Sequence, residues 1–157
     1  IHCRPSSTDA KLWPRALLTV MYLRVTLPIG NSGNVSTGAC TTITPESPWT
    51  QNGNSNGSLQ YRILNISGEE SLQFRGALGR ASYPTSPAGS YIVNNTALPS
   101  AARPSTLRTV LMPCSDVSSD RIALKVDVRT DGYLEVFGFS STTKPPWIGF
   151  NGVTVSH

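Results

Sequence analysis

Histidine is nearly missing from this chain of 157 residues: it occurs only at His2 and His157, the two extreme ends. A catalytic base must be held by packing and by neighbouring hydrogen bonds, and residues that close to a terminus are poorly held. A Ser-His-Asp or Cys-His centre is therefore not expected. Lysine is almost as rare, at Lys11, Lys125 and Lys144, and charged residues make up only 14% of the chain. Helix surfaces are usually built from Lys and Glu, so a helical bundle is excluded. The three cysteines, Cys3, Cys40 and Cys114, form no CxxC pair. That argues against a zinc site and allows at most one disulfide. No apolar run is long enough to span a bilayer; the longest, Ala16 to Leu27, is broken by Thr19, Arg24 and Thr26. No Gly-x-Ser-x-Gly and no phosphate-cradling Gly-rich loop leading into a helix occurs.

Glycine (13) and proline (12) are frequent and scattered, so they punctuate the chain before any long helix can form. The length suits one domain able to bury about 70% of its unfolded surface. The net charge of +4 comes from 13 basic and 9 acidic residues, and the arginines are spread from Arg4 to Arg129 rather than clustered. No nucleic-acid partner and no membrane insertion are expected.

Residues 1–16 lack periodicity and read as an extended N-terminal arm or tether. Residues 17–157 read as a single β domain. Leu17 to Leu27 suits a strand that is apolar on both faces. Val35 to Thr44 is a polar strand candidate, and 45–58 a long loop containing Trp49. Leu59–Ile63 and Leu72–Gly76 alternate and pair as a hairpin. After a second long loop, 79–89, come Tyr91–Val93, Leu107–Pro113 and the cleanest strand, Arg121–Arg129. Asp131-Gly132 turns that strand into Tyr133–Phe137. Trp147 to Val155 closes the domain, with Trp147 expected in the core. Eight to ten short strands about ten residues apart predict an all-β, antiparallel β-sandwich or jelly-roll-like domain.

The nine carboxylates read as solvated surface groups. Glu46, Glu69, Glu70, Asp116, Asp120 and Asp131 fall in loops or turns, and Asp127 and Glu135 sit at polar hairpin positions. No glycosidase pair, metal site or cofactor is expected, so the chain is read as a non-enzyme. What remains is a binding surface. Loops rich in Asn, Ser, Thr and Gly with isolated aromatics suit carbohydrate, whose C–H faces stack on rings while its hydroxyls bond to amides. The candidate glycan-binding residues are Trp49, Asn52, Arg80 and Tyr83. Trp49 and Tyr83 have a structural alternative, Trp49 as a plug for one end of the sandwich and Tyr83 as cover for a protomer interface. Sequons occur at Asn34, Asn56, Asn65 and Asn94.

The order of motifs over residues 46–157 is similar to a known layout. Pro48-Trp49 and Tyr61-Arg62-Ile63 precede Leu72-Gln73-Phe74-Arg75-Gly76-Ala77-Leu78. Next come Leu98-Pro99-Ser100-Ala101-Ala102-Arg103-Pro104-Ser105, the strand to Met112-Pro113-Cys114, the Asp131-Gly132 turn, and Trp147-Ile148-Gly149-Phe150-Asn151-Gly152-Val153. This resembles the C-terminal head domain of phage tail-fibre and receptor-binding proteins. The resemblance implies a homotrimer of β domains at the tip of a fibre, exposed on the virion and adhering to a host surface glycan. Arg103 and Pro104 match the family's structural turn. Pro104 should hold Arg103 extended, with its guanidinium folded over nearby carbonyls. The doubly apolar Leu17–Leu27 strand favours a trimer independently, because one core cannot absorb both faces. A capsid-surface decoration module and a carbohydrate-binding module of a secreted protein are the alternatives. Similar trimeric heads occur on adenovirus and reovirus fibres.

Overall fold

A computed structural model of the chain describes residues 34–157; the expected arm, the Leu17–Leu27 strand, His2 and Cys3 lie outside the described residues. Twelve strands follow one another: β1 (Val35–Thr37), β2 (Thr41–Thr42), β3 (Thr50–Gln51), β4 (Gln60–Ile66), β5 (Glu69–Arg75), β6 (Ala77–Gly79), β7 (Ser90–Ile92), β8 (Arg108–Pro113), β9 (Ala123–Val128), β10 (Leu134–Phe137), β11 (Trp147–Gly149) and β12 (Thr154–Ser156). The only helical turns among the described residues are single 3-10 turns at Gly53–Ser55 and Ser100–Ala102. Among the described residues the strands form three sheets, β1-β4-β5-β12 with β2 also on β4, β7-β10-β9-β8, and β11-β6-β3. Every pairing between strands is antiparallel. The fold is thus the all-β antiparallel sandwich that the turn spacing predicts.

Alternation decides which face each strand buries. In β5, Leu72 and Phe74 are fully buried while Ser71 and Gln73 are only partly so. The register sets Val136 beside Val126 and Leu134 beside Val128, and β8 adds Met112 beside Leu124. These side chains join Leu59, Leu78, Ile148 and Phe150 in one core. The β4–β5 hairpin turns through Ser67 and Gly68, both at positive φ (55° and 95°), the geometry of a two-residue hairpin whose twist matches its strands. Asn65 Oδ1 accepts from the Gly68 N–H at 2.9 Å and closes it.

The β9–β10 hairpin is fixed to the rest of the domain at its turn. Gly132 has φ 89°, and a Cβ there would lie 2.8 Å from the Leu98 carbonyl oxygen and 2.9 Å from Arg103 Nε. Only glycine meets both demands. The Leu98 N–H donates to Gly132 O at 2.9 Å, and Arg103 Nε donates to Leu98 O at 2.7 Å. Arg103 is extended (φ −101°, ψ 129°). Buried Asn94 completes the joint: its Nδ2 donates to Thr96 O and Gly132 O, and its Oδ1 accepts from the Leu134 N–H. Its sequon is thereby spent on structure, since the amide a glycan would occupy is sealed in the core. At the tip, Arg129 reaches Asp131 at 2.7 Å and Glu135 at 3.0 Å.

Three local expectations change. The segment 45–58 is not wholly irregular, because β3 pairs with β6 and Gly53 packs so close to Leu78 O that a Cβ would clash. Trp147 is only half-buried; on so short a strand the alternation gives the core position to Ile148. Asp127 is buried rather than solvated, and it accepts from Thr109 Oγ1 at 2.6 Å and Lys125 Nζ at 2.9 Å. Cys40 and Cys114 are both free.

Two predictions follow from the Gly132 joint and the carboxylates. Arg103→Ala should lower stability by about 1–3 kcal/mol through the unpaired Leu98 carbonyl. Gly132→Ala should cost more, because it adds a clash and a strained φ to the same joint. Denaturant melts of both variants measure the order, and an Arg103→Ala melt equal to wild type would dismiss the joint. The second concerns acid. Burial raises the Asp127 carboxyl, but hydrogen bonds from Thr109 and Lys125 outweigh it and hold it low. The Thr143 and Thr142 hydroxyls lower Asp120, and Arg129 lowers Asp131. Carboxyls held below their ordinary values stabilise the fold above about pH 4, and that contribution disappears as pH falls through their folded values. Tm should be level between about pH 5 and 7 and should fall steadily below about pH 4.

Candidate functional site

Arg80 follows β6 directly, and its N–H donates to Pro146 O at 2.9 Å. The side chain is 7% exposed. Its guanidinium carbon lies 4.2 Å from the ring centre of Tyr91, 4.6 Å from Tyr83 and 5.1 Å from Trp49. Phe139 closes the cluster, with its ring centre 5.1 Å from Tyr91, 5.7 Å from Tyr83 and 5.9 Å from Trp49. The ring faces carry the negative lobe of the aromatic quadrupole, so they stabilise a cation that has left water. No carboxylate pairs with Arg80 among the described residues. Nε donates to Ser82 O at 3.1 Å, while Nη1 is buried without a partner, as is Trp49 Nε1.

Three of the four sequence-selected residues therefore meet in one place. Trp49 is 4% exposed, and its ring packs against Tyr83, Tyr91 and Phe139. Tyr83 is half-buried, and its hydroxyl donates to Pro145 O at 2.7 Å. Burial pushes its pKa well up, with Arg80 opposing. Asn52 stands apart from the rings. It is exposed at φ 63°, and its Oδ1 accepts from the Gly57 N–H at 2.8 Å, which closes the 52–57 loop.

Two open concavities flank these loops. One, about 260 Å³, is walled by Arg80, Ser82, Tyr83, Val117, Ser118 and Lys144. The other, about 360 Å³, is walled by Asn56, Gln60, Arg75 and Asn151 with the backbone of Gly57 and Gly76. Its amides are set in place: Arg75 Nε donates to Gln60 Oε1, and Asn151 Oδ1 accepts from the Gly76 N–H, both at 2.7 Å. Donors and acceptors are thus fixed around open space. The described histidine, His157, faces Glu70 at 3.7 Å, and no group of three metal-ligating side chains occurs among the described residues.

Tyr91 is not marked by the sequence, whereas Val117, Ser118, Phe139 and Lys144 lie in the 115–120 and 138–146 loops, which the sequence offers only as second-choice recognition loops. Tyr91 reads as an ordinary strand residue, and Phe139 follows Gly138 in a segment without periodicity. An unpaired Arg followed three residues later by Tyr was the available signal. Arg80→Ala should destabilise the domain by about 2 kcal/mol or more, through lost cation–π contacts in a desolvated setting. Tyr83→Phe should cost about 1 kcal/mol for one hydrogen bond. Thermal melts of the pair check the ranking; an Arg80→Ala domain as stable as wild type would show that the rings do not need the cation.

No family model matches the chain, and no curated protein does. Among solved structures, the fold is similar to the receptor binding protein (gp15) of Listeria phage PSA, with a TM-score of 0.54 and 16% sequence identity. The likeness covers 80% of this chain and 66% of that protein, so the chain spans just under two thirds of its length. The domain thus has the fold of a phage receptor binding protein.

Proposed function

We propose that this domain is a non-enzymatic receptor-binding head on the outside of a phage particle, a homotrimer that attaches the virion to a glycan of the host surface. The observation that carries this reading is the fold shared with a phage receptor binding protein over 80% of the chain. The 46–58 and 79–90 loops, with Asn52, Arg80, Tyr83 and the ring of Trp49 beneath them, form the proposed recognition face. Loops on a rigid scaffold are where recognition concentrates, and both open concavities draw walls from these loops.

Association is supported by apolar side chains that the single domain leaves in water. Val35 and Ile66 lie directly opposite each other on β1 and β4, 63% and 49% exposed. Leu111, 73% exposed, lies on β8, the outer strand of its sheet. Burial between copies would remove this surface from water and cover a free strand edge. Three linked copies would then raise a weak single-site sugar affinity by avidity.

Light scattering at micromolar concentration should give the mass of three chains, and Leu111→Asp should shift it toward one. A glycan array probed with the same protein should give binding that is lost when the trimer dissociates. A monomer mass for the wild-type chain would remove the assembly from this reading. An array without signal at any glycan, with intact trimer, would remove the glycan.

A further inference from the structure

The cavity beside Tyr83 combines features that a neutral sugar site does not require. Two cations, Arg80 and Lys144, line it. Neither forms an ion pair among the described residues. Arg80 is more than nine-tenths buried, and its Nη1 has no hydrogen-bond partner among the described residues. Lys144 Nζ is held by a carbonyl, Thr85 O, at 3.0 Å. Like charges lining one cavity repel each other, and on the side of the aromatic backing that positive field is screened less than it would be by water. An anion entering the cavity would relieve both.

The walls are already in place. Tyr83 Oη to Pro145 O, the Arg80 N–H to Pro146 O, and Lys144 Nζ to Thr85 O tie the 80–85 segment to 144–146. The Lys144 N–H donates to Ser118 O at 2.8 Å and ties on the third wall. A site built in advance loses little conformational entropy on binding. Ser82 and Ser118 add hydroxyls at the cations' side, while Tyr83, Val117 and Pro146 add apolar wall. At about 260 Å³ the space suits one monosaccharide with its charged substituent rather than a long oligomer.

Resting on the receptor-binding reading above, we propose that this cavity is an anion-selective subsite that takes the carboxylate or phosphate group of an acidic surface glycan, with Lys144 and Arg80 as its electrostatic partners. The wider, amide-walled concavity near Asn56 and Asn151 lacks the second cation and the apolar wall, and does not share this selectivity.

The test is an amide-shift titration of the ¹⁵N-labelled domain with sodium glucuronate, with glycerol 1-phosphate, and with glucose. Either or both anions should give saturable shifts at Ser82, Val117, Ser118 and Lys144, and glucose should not. The two anionic arms separate carboxylate from phosphate. K144Q should weaken anion binding by roughly tenfold. V117D places a carboxylate at an exposed rim position without touching the Lys144–Thr85 tie, and it should weaken binding at least as much. If K144Q melts lower than wild type, V117D decides. Absent anion shifts, equal shifts with glucose, or unchanged affinity in V117D would each overturn the proposal. Array binding to neutral glycans with no anion shifts here would sink this subsite and leave the attachment role standing. Saturable anion binding here with a silent array would do the reverse.

Discussion

The loop face of the domain depends on one guanidinium that is buried without a carboxylate among the described residues. Removing Arg80 from water is costly, and an ion pair would be the ordinary compensation. Here the compensation is supplied by the faces of Trp49, Tyr83 and Tyr91 within about 5 Å, and by a carbonyl two residues along the chain. Each ring comes from a different stretch of sequence: Trp49 from before β3, Tyr83 from the 79–90 loop, Tyr91 from β7. Phe139, from after β10, packs edge-on to Tyr91. One cation therefore joins three separate segments at a single point, and Phe139 packs a fourth against their rings.

That arrangement works only if the sheets beneath it are rigid. The Asn94–Gly132–Leu98–Arg103 joint provides this on the β9–β10 side, by closing the hairpin turn against the 94–103 segment with almost no free volume. At the other end of the same hairpin, Asp120 gathers the hydroxyls of Thr142 and Thr143, and Thr143 is fully buried. The 138–146 segment is thus fixed to the 115–120 loop. It is the same segment that holds Tyr83 Oη and Lys144. Stability of the frame and placement of the proposed recognition face share these hydrogen bonds, and the surface loops inherit their geometry from buried polar groups.

Periodicity made the long strands legible. β4, β5, β8 and β9 alternate over six or seven residues, and each was placed within two or three residues of its true limits. β3 and β6 were not legible, because two or three residues carry no period. They exist because each pairs with the other and β6 also with β11, a tertiary condition. Asp127 reads as solvated because it shares the polar face of its strand with Lys125 and alternates with Val126 and Val128; Thr109, its cross-strand partner on β8, and Lys125 instead hold it in hydrogen bonds. Candidate-site residues were legible one at a time, through residue type and loop position. Their convergence on Arg80 was not, since residues 49, 83, 91 and 139 share no spacing that a linear pattern could expose.

The scarcity of lysine takes on a local meaning at this cluster. A compact, strongly hydrated ammonium would lose much more on burial than a planar guanidinium, and would tend to shed its proton there. A guanidinium keeps its charge, lies flat against ring faces, and still offers several N–H donors at its edge. The residue at position 80 therefore keeps its charge while packed among the rings, and it lines the cavity as a buried cation. Lysine is used instead at position 144, where the side chain is only partly buried and a single carbonyl holds its head group. A buried planar cation and a tethered, part-exposed one thus line the same cavity, each the residue type its setting allows.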